Sequence, residues 1–315
     1  MKVVFMGTPE FAVPALRQLN ETHEVQAVFC QPDRPKGRSK RPVPCPVKAA
    51  ALELGLPVHQ PKRVRARKWV SILTDLAPDL IVVAAFGQIL PQSVLDIPTI
   101  DCINIHASLL PRWRGASPIH HAILAGDAKT GVGIMRVELA LDAGPVYSEG
   151  EIAIDDDTTR EQLEVDLAQL GADLLIETIP KIPETEPRQQ NEDEVTYAPI
   201  IEKSMGYLDF ARATAREVFN GVRAFSGWPG SYCRFADQPL KLVKVRPLDD
   251  SARLEGAAAE PGTLVEVTKK KMVVACAEGT RLEILELQPS GKKVMPAHAF
   301  INGHKTKVGD RLEPM

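Results

Sequence analysis

Membrane-spanning and secretory signals are missing from this chain. No uninterrupted apolar run approaches the length needed to cross a bilayer, and the first residues lack the small-residue cleavage site of a secretory signal. These absences predict a cytoplasmic protein with no membrane contact.

Cysteine is too scarce and too scattered to build a scaffold. The five cysteines are odd in number, form no CxxC pair and lie far apart, at positions 30, 45, 102, 233 and 276. That pattern indicates neither a disulfide framework nor a zinc site. We therefore expect free thiols and no bound metal.

A dinucleotide fingerprint is absent from the place where an α/β protein would carry one. The first predicted strand ends in Gly7-Thr8-Pro9-Glu10, which does not have the GxGxxG spacing. Pro9 suits the first turn of a helix, where its missing N–H costs nothing. The turn indicates helix initiation and gives little support for a bound nucleotide.

What is present is an ordinary globular composition, long enough for two domains. The 315 residues are 44% hydrophobic and 25% charged, with a formal net charge of −3, so the chain is not coated in positive charge. Two basic clusters nevertheless stand out, at residues 34–41 and 62–68. Because charge runs are more often solvated surface than binding sites, the clusters alone assign no partner.

Short apolar strands alternate with helical segments through the first half of the chain. The run at 80–86, bounded by Asp79 and Gly87, is continuously apolar, as in strands that are buried on both faces of a parallel sheet. This pattern predicts an α/β fold, with a Rossmann-like, mostly parallel sheet and helices on both faces.

The second half of the chain has a different pattern. Residues 180–193 are rich in Pro, Glu and Gln, and after Gly230 five short strands alternate with polar turns. Such strands predict a smaller C-terminal OB-like β-barrel. We therefore divide the chain into a first domain at 1–185, a linker at 186–204 and a barrel at 205–315.

The strongest chemical signal follows a predicted strand near residue 104. Asn104 and His106 are two residues apart on that strand, so their side chains share a face beside a proline-closed turn. The amide can donate to a developing oxyanion, and the imidazole can give or take a proton near neutral pH. Asp142, on a predicted loop, could orient the histidine.

Each of these three residues also has an ordinary structural interpretation. A histidine on a buried strand is commonly a hydrogen-bonded core residue. Asn104 could satisfy backbone groups of a loop, and Asp142 could start the turn before Gly144. Only the three together point to catalysis of a carbonyl reaction.

The segment Phe86-Gly87-Gln88-Ile89-Leu90-Pro91 follows the buried strand and has two interpretations. It is either a strand that ends in a turn or an apolar slot with exposed backbone amides for a flat heterocycle. Spacing does not decide between them.

Together these segments resemble the folate-dependent formyltransferases, over nearly the whole chain. The resemblance is carried by Phe5 to Phe11, Gln31-Pro32-Asp33-Arg34-Pro35, Phe86 to Pro91, Ile103 to Ile119 and Leu141-Asp142-Ala143-Gly144. The stretch from Ser108 to Gly115 is highly specific for this superfamily, but it does not choose the acceptor.

The resemblance implies a catalytic first domain that uses (6R)-10-formyltetrahydrofolate as formyl donor and no metal. It assigns catalysis to Asn104, His106 and Asp142. It assigns donor binding to two groups of residues: the turn Ser108, Leu109, Leu110 and Pro111, and the pterin-packing residues Gln88, Ile89, Leu90 and Leu139.

The basic loop and the barrel then suggest an acceptor. By resemblance, the loop would contact the acceptor stem of initiator tRNA through Lys36, Arg38, Lys40 and Arg41, and the barrel would also bind tRNA. The implied reaction formylates the α-amino group of methionyl initiator tRNA for translation initiation, in a protein that we expect to be a monomer. The cluster at 62–68 matches no motif of the family.

Three alternatives stay open from the sequence. A formyltransferase that acts on an amino-sugar nucleotide can share the catalytic segment and the barrel, but it does not call for the basic loop. A hydrolase would release formate without an amine acceptor. A noncatalytic RNA-binding protein would have no need of Asn104, His106 and Asp142 together.

Overall fold

A computed structural model of the protein describes residues 1–35, 42–248 and 259–315. The chain forms two compact units, one made of Met1–Pro118, Lys129–Ala153 and Leu163–Ala198, the other of Ile119–Ala128, Ile154–Gln162 and Pro199–Met315. Residues 186–198, which the sequence places in a linker, are part of the first unit. The functional domain boundaries themselves stay a prediction.

The elements up to residue 198 alternate largely as the sequence predicts. In chain order they are β1 (Lys2–Gly7), α1 (Val13–Thr22), β2 (Glu24–Phe29), β3 (Arg34–Pro35), β4 (Pro42–Val43), α2 (Pro46–Glu53), β5 (Val58–His59), α3 (Arg67–Leu76), β6 (Leu80–Ala84), α4 (Gln92–Leu95), β7 (Asp101–His106), β8 (Arg114–Gly115), α5 (Pro118–Ala125), β9 (Lys129–Arg136), β10 (Val146–Ala153), α6 (Arg160–Thr178) and β11 (Tyr197–Ala198).

The main sheet of the first unit has the strand order β10-β9-β7-β6-β1-β2-β5. The five strands from β7 to β5 are parallel to their neighbours, whereas β9 and β10 are antiparallel. All five residues of β6 are buried, as expected for a strand covered on both faces. The sequence did not predict β10, because most of its residues are partly or fully exposed.

Helices cover both faces of this sheet, which confirms the predicted α/β class. On one face Leu73 of α3 shares a core cluster with Ile81 and Cys102 of the sheet. On the other face Gly171 of α6 lies so close to Ile105 that an added Cβ would stand 2.8 Å from its methyl group. Since Asn104 and His106 alternate with Ile105, their side chains lie on the α3 face.

The longest described helix, α6, has 19 residues. Leu163, Leu167 and Leu175 are buried, whereas Glu161 and Glu164 keep one side polar. Across the ranges that the structure describes, none of the helices combines the length and apolarity needed to cross a bilayer.

The second unit contains the predicted curled antiparallel sheet. Its elements after residue 198 are α7 (Ala215–Ala224), β12 (Ser231–Phe235), β13 (Gln238–Leu248), β14 (Leu264–Val267), β15 (Met272–Ala275), β16 (Arg281–Pro289), β17 (Met295–Pro296), α8 (Ala297–His304) and β18 (Leu312–Glu313). The strand order is β14-β15-β16-β13-β12-β18, with β17 beside β16. This arrangement confirms the smaller barrel-like domain.

Backbone hydrogen bonds join the two ends of that curled sheet. Leu264 N–H donates to Asp310 O, and Leu312 N–H donates to Gly262 O, each at 2.8 Å. Joining the ends removes exposed strand edges. Thr214 is the N-cap of helix α7, and its hydroxyl accepts a hydrogen bond from the N–H of Glu217 in a capping box. The sequence did not predict α8.

Candidate active site

Strand β7 delivers the two central side chains to the carboxyl end of the parallel sheet. Asn104 pairs in register with Val83 of β6, and His106 pairs with Gly133 of β9. His106 is buried, and Asn104 is partly exposed. Ligands of open α/β sheets bind at this edge, so the position suits a reactive site.

The turn after β7 is built by its own side chains. The Ser108 hydroxyl donates to Arg112 O at 2.6 Å. Leu110 packs in a buried cluster with Met135 and Val146. A cis peptide bond joins Leu110 to Pro111. Because the Ser108 hydroxyl is used inside the turn and Leu110 packs against β9 and β10, these side chains hold the backbone after His106 in place.

The ring of His106 is fixed by a carbonyl. Its Nε2 lies 3.1 Å from Trp113 O. A carbonyl oxygen can only accept, so Nε2 carries a hydrogen, and in the neutral ring Nδ1 is left with a free lone pair. Nδ1 is therefore the atom at which His106 can take up and return a proton.

Asp142 faces that atom. One carboxylate oxygen lies 3.7 Å from His106 Nδ1 and accepts a hydrogen bond from the N–H of Gly115 at 2.8 Å. The longer distance exceeds that of a hydrogen bond, so the contact with His106 is an electrostatic one. Asp142 has a left-handed backbone, with φ of 48°.

The carboxamide of Asn104 has no hydrogen-bond partner among the residues that the structure describes. It lies on the same face of β7 as His106, two residues away. The structure thus brings His106 and Asp142 together and leaves a free amide beside them. This set can donate to an oxyanion and move a proton, which is the chemistry expected from the sequence.

The predicted donor-binding loop after β6 divides into structural and exposed residues. Gln88 Oε1 accepts from Val64 N–H at 2.7 Å, and its Nε2 donates to Pro61 O at 2.8 Å. Leu90 is buried, whereas Ile89 is exposed. The side-chain amide of Gln88 is therefore used to hold the loop, and Ile89 is the apolar group that it presents.

The remaining predicted donor contacts are also located. Leu139 is exposed on the segment after β9, close in sequence to the Asp142 loop. Leu109 lies against Gly131, where an added Cβ would stand 2.5 Å from the Leu109 side chain. Ser108, Leu110 and Leu109 thus serve the turn, and their donor contacts stay predictions.

The four predicted tRNA-contacting residues, Lys36, Arg38, Lys40 and Arg41, lie outside the described residues, and their role stays a prediction. The second basic cluster is described. Its five basic side chains are exposed, and Lys68 Nζ stands 4.9 Å from the centre of the Trp69 ring. Because Gln88 binds Pro61 and Val64, this cluster adjoins the loop after β6.

The sequence did not predict the residues that hold the Asp142 loop. Arg114, Gln190, Glu192 and Thr196 form a hydrogen-bonded group beside the Asp142 loop, in which the Arg114 N–H donates to Thr196 O. Arg114 is inside the motif that carries the resemblance, Gln190 and Glu192 lie in the Glu- and Gln-rich stretch at 180–193, and Thr196 follows that stretch. Its composition indicated a linker, so no local signal could have revealed them.

No cluster of three or more metal-ligating side chains occurs within residues 1–35, 42–248 and 259–315. The thiols of Cys30, Cys102, Cys233 and Cys276 are buried, and Cys45 is partly exposed. Burial raises the pKa of the Cys233 thiol to about 12. At neutral pH that cysteine is therefore protonated and inert.

His120 gives the second unit a testable pH dependence. Burial, together with the charge of Arg160, lowers the pKa of His120 to about 4, below the ordinary value of 6.5. A lowered histidine pKa means that stability is fully present above about pH 6.5 and falls as the pH drops toward 4. We expect the wild type to lose about 1–2 kcal/mol more than His120→Gln over that interval, a figure discounted for partial exposure.

Urea denaturation of both proteins at several pH values between 4 and 7 measures this difference. His298→Gln, at an exposed histidine of α8, is the matched control. Parallel pH curves for the wild type and His120→Gln would contradict the expected contribution of His120.

Comparison with known proteins finds matches to both halves of the chain. A family model described as formyl transferase matches residues 1–179, and one described as formyl transferase, C-terminal domain, matches residues 200–305. The methionyl-tRNA formyltransferase of Bacillus subtilis is 44% identical over 99% of this chain and 97% of its own length. That of Methylococcus capsulatus is 46% identical over 99% of both chains.

Solved structures show the same fold at low identity. The sugar 3N-formyl transferase WlaRD aligns with a TM-score of 0.66 at 16% identity, covering 93% of this chain and 99% of its own. HypX from Aquifex aeolicus, in complex with tetrahydrofolic acid, aligns with a TM-score of 0.59 at 16% identity, covering 98% of this chain and 48% of its own. At such identity the likeness shows the fold alone.

Proposed function

We propose that this chain, which belongs to the formyl transferase family, transfers the formyl group of 10-formyltetrahydrofolate to the α-amino group of methionyl initiator tRNA. The observation that carries the proposal is the likeness to methionyl-tRNA formyltransferases along 99% of the chain, barrel included. The proposed acceptor places the reaction in the cytoplasm. That the enzyme acts as a monomer is part of the proposal.

The reaction is direct attack of the neutral amine on the formyl carbon. An aminoacyl ester makes its amine less basic, so little activation of the nucleophile is needed. The attack places negative charge on the formyl oxygen. The free carboxamide of Asn104 would donate to that oxygen, and one such donor contributes about 3–4 kcal/mol of barrier lowering.

His106 and Asp142 would handle the proton that the amine loses. With Nε2–H directed to Trp113 O, only Nδ1 of His106 is available to accept a proton or return it. The Asp142 carboxylate, 3.7 Å away, stabilises the protonated ring. A water between the two groups could relay the proton to the leaving nitrogen N10 of the folate.

The folate would lie between exposed apolar groups. Ile89 and Leu139, on the loops after β6 and β9, are both exposed, and Leu141 is exposed on the same loop as Asp142. Exposed apolar side chains around a polar centre suit a flat heterocycle. The contacts at Ser108 to Pro111 would come from the main chain, since the side chains hold the turn.

The barrel offers a surface suited to RNA. Tyr232 of β12 and Lys241 of β13 are register partners, and Lys241 Nζ lies 6.0 Å from the tyrosine ring centre. Arg246, further along β13, is exposed but paired with the Glu283 carboxylate, so Lys241 is the cation of this surface. An aromatic ring beside a cation can stack a base and neutralise a phosphate. We propose this surface of the second unit as a tRNA contact, separately from the contact proposed for the basic loop.

The acceptor is tested by offering purified protein the formyl donor with four acceptor conditions. These are charged methionyl initiator tRNA, charged elongator methionyl-tRNA, an amino-sugar nucleotide and no acceptor. We expect formylation of the initiator tRNA alone. Preferential formylation of the nucleotide, or formate release without any acceptor, would instead support one of the rival activities.

The role of the basic loop is tested by Arg38→Ala. We expect a raised KM for tRNA and a weaker dependence of that KM on salt, because fewer phosphates are neutralised. The kcat should stay near that of the wild type. Unchanged tRNA kinetics would remove the loop from the proposal.

A further inference from the structure

Three successive residues hold the catalytic pair in place. Trp113 O accepts from His106 Nε2 at 3.1 Å, and Gly115 N–H donates to the Asp142 carboxylate at 2.8 Å. The side chain of Arg114, between them, donates to Gln190 and Glu192. The main chain from Trp113 to Gly115 therefore sets the distance between His106 and Asp142.

The Arg114 side chain acts through Gln190. Arg114 Nε donates to Gln190 Oε1 at 2.9 Å. Gln190 Nε2 donates to Asp142 O at 2.8 Å and to Gly144 O at 2.7 Å. A guanidinium can only donate and a carbonyl can only accept, so this pattern fixes the orientation of the amide. Gln190 is 8% exposed and fully hydrogen bonded.

The loop that accepts the two hydrogen bonds from Gln190 has a strained backbone. Asp142 has φ of 48°, which is unfavourable for a residue with a Cβ. Gly144 is so close to β9 that an added Cβ would stand 2.0 Å from Arg136 O. Since the backbone alone disfavours this path, the two hydrogen bonds from Gln190 stabilise it.

Arg114 is itself secured at its other end. It is 3% exposed, and its Nη1 and Nη2 atoms donate to the two Glu192 oxygens at 3.2 and 2.7 Å. The hydrogen bond from Arg114 holds the pKa of the Glu192 carboxyl below its usual range. A buried guanidinium needs such partners, and its rigid fork suits two acceptors at once.

We propose that Gln190 is a positioning residue of formyl transfer: it holds the Asp142 loop so that the carboxylate faces His106 Nδ1, and Arg114 orients its amide. Segment 190–192 thus acts as a clamp on the catalytic loop. The rate measurements below rest on the proposed function, whereas the spectroscopic measurement does not.

Gln190→Glu tests the clamp with almost no change of shape. The new carboxylate still accepts from Arg114, but it has no hydrogen to donate to the carbonyls of Asp142 and Gly144. We expect kcat to fall about 10–100-fold, since small misplacements near reacting groups cost this much. The KM for the formyl donor should change far less. Gln189→Glu, at the exposed neighbouring residue, is the matched control and should behave as wild type.

A double-mutant cycle separates positioning from general stability. In an Asp142→Asn background the carboxylate that Gln190 positions is already absent, so Gln190→Glu should lower kcat little further. A fold-loss in that background as large as in the wild type would overturn the proposal. So would a Gln190→Glu protein with wild-type kcat, or a Gln189→Glu protein with the same loss.

The ring of His106 gives a readout that does not depend on turnover. In protein labelled with ¹⁵N-histidine, the ring signals of His106 should move in Gln190→Glu and stay in place in Gln189→Glu. If Gln190→Glu does not fold, Gln190→Met keeps the length, removes both donors and should move the same signals. If the ring signals of His106 are unchanged in Gln190→Glu, the clamp is contradicted. If those signals move but the wild-type protein transfers no formyl group, only the proposed function is contradicted.

Discussion

His106→Ala is expected to lower kcat for formyl transfer by about 10²–10⁴-fold, the range for loss of a positioned acid–base group. The side chain has one free nitrogen, Nδ1, because Nε2 donates to Trp113 O at 3.1 Å. Removing the ring removes the proton acceptor and leaves Asp142 without its partner. Folate binding should largely survive, since His106 is buried and the proposed folate contacts are exposed apolar side chains.

Steady-state kinetics with charged initiator tRNA, together with folate titration, measures both effects. His298→Ala removes an exposed histidine of the barrel and serves as the matched control. Near-normal turnover in His106→Ala would refute the role assigned to the ring. A large loss of folate affinity would instead assign His106 a role in binding the formyl donor.

Asn104→Asp is expected to lower kcat by about 10²–10³-fold or more, with KM for both substrates changed much less. The substitution keeps the size of the side chain. It replaces an amide that donates with a carboxylate that only accepts, and it places negative charge beside the developing oxyanion. The amide has no partner within the described residues, so no internal hydrogen bond is broken.

The same assay measures this variant, and Asn302→Asp at an exposed position of α8 is its control. Thermal unfolding should be close to that of the wild type. If Asn104→Asp and the wild type share the same kcat, the amide does not contact the oxyanion. If unfolding is instead strongly shifted, Asn104 is a structural residue.

Much of the first unit follows from local patterns. The apolar run at 80–86 predicted β6, because a short continuous apolar run is typical of a strand covered on both faces. The alternation around Asn104 and His106 predicted β7 and the shared face of those side chains. By contrast β10 was missed, because an edge strand with exposed residues resembles a polar loop.

The residues that hold the Asp142 loop could not be predicted from the sequence. Gln190 is 48 residues after Asp142, and a composition rich in Glu and Gln gives no sign that one amide is buried. The same composition indicated a spacer at 186–204, although residues up to Ala198 belong to the first unit. Long-range hydrogen bonds leave no periodicity along the chain.

The fold class, the family and the residue types proposed for the site follow from local patterns along the chain, because periodicity and residue type are local properties. The folded chain alone specifies which nitrogen of His106 is free, how far it lies from Asp142 and which residues hold that loop. Those facts depend on where backbone carbonyls and N–H groups meet across the fold. The strain at Asp142, and the Gln190 amide that offsets it, exist only once the chain has folded.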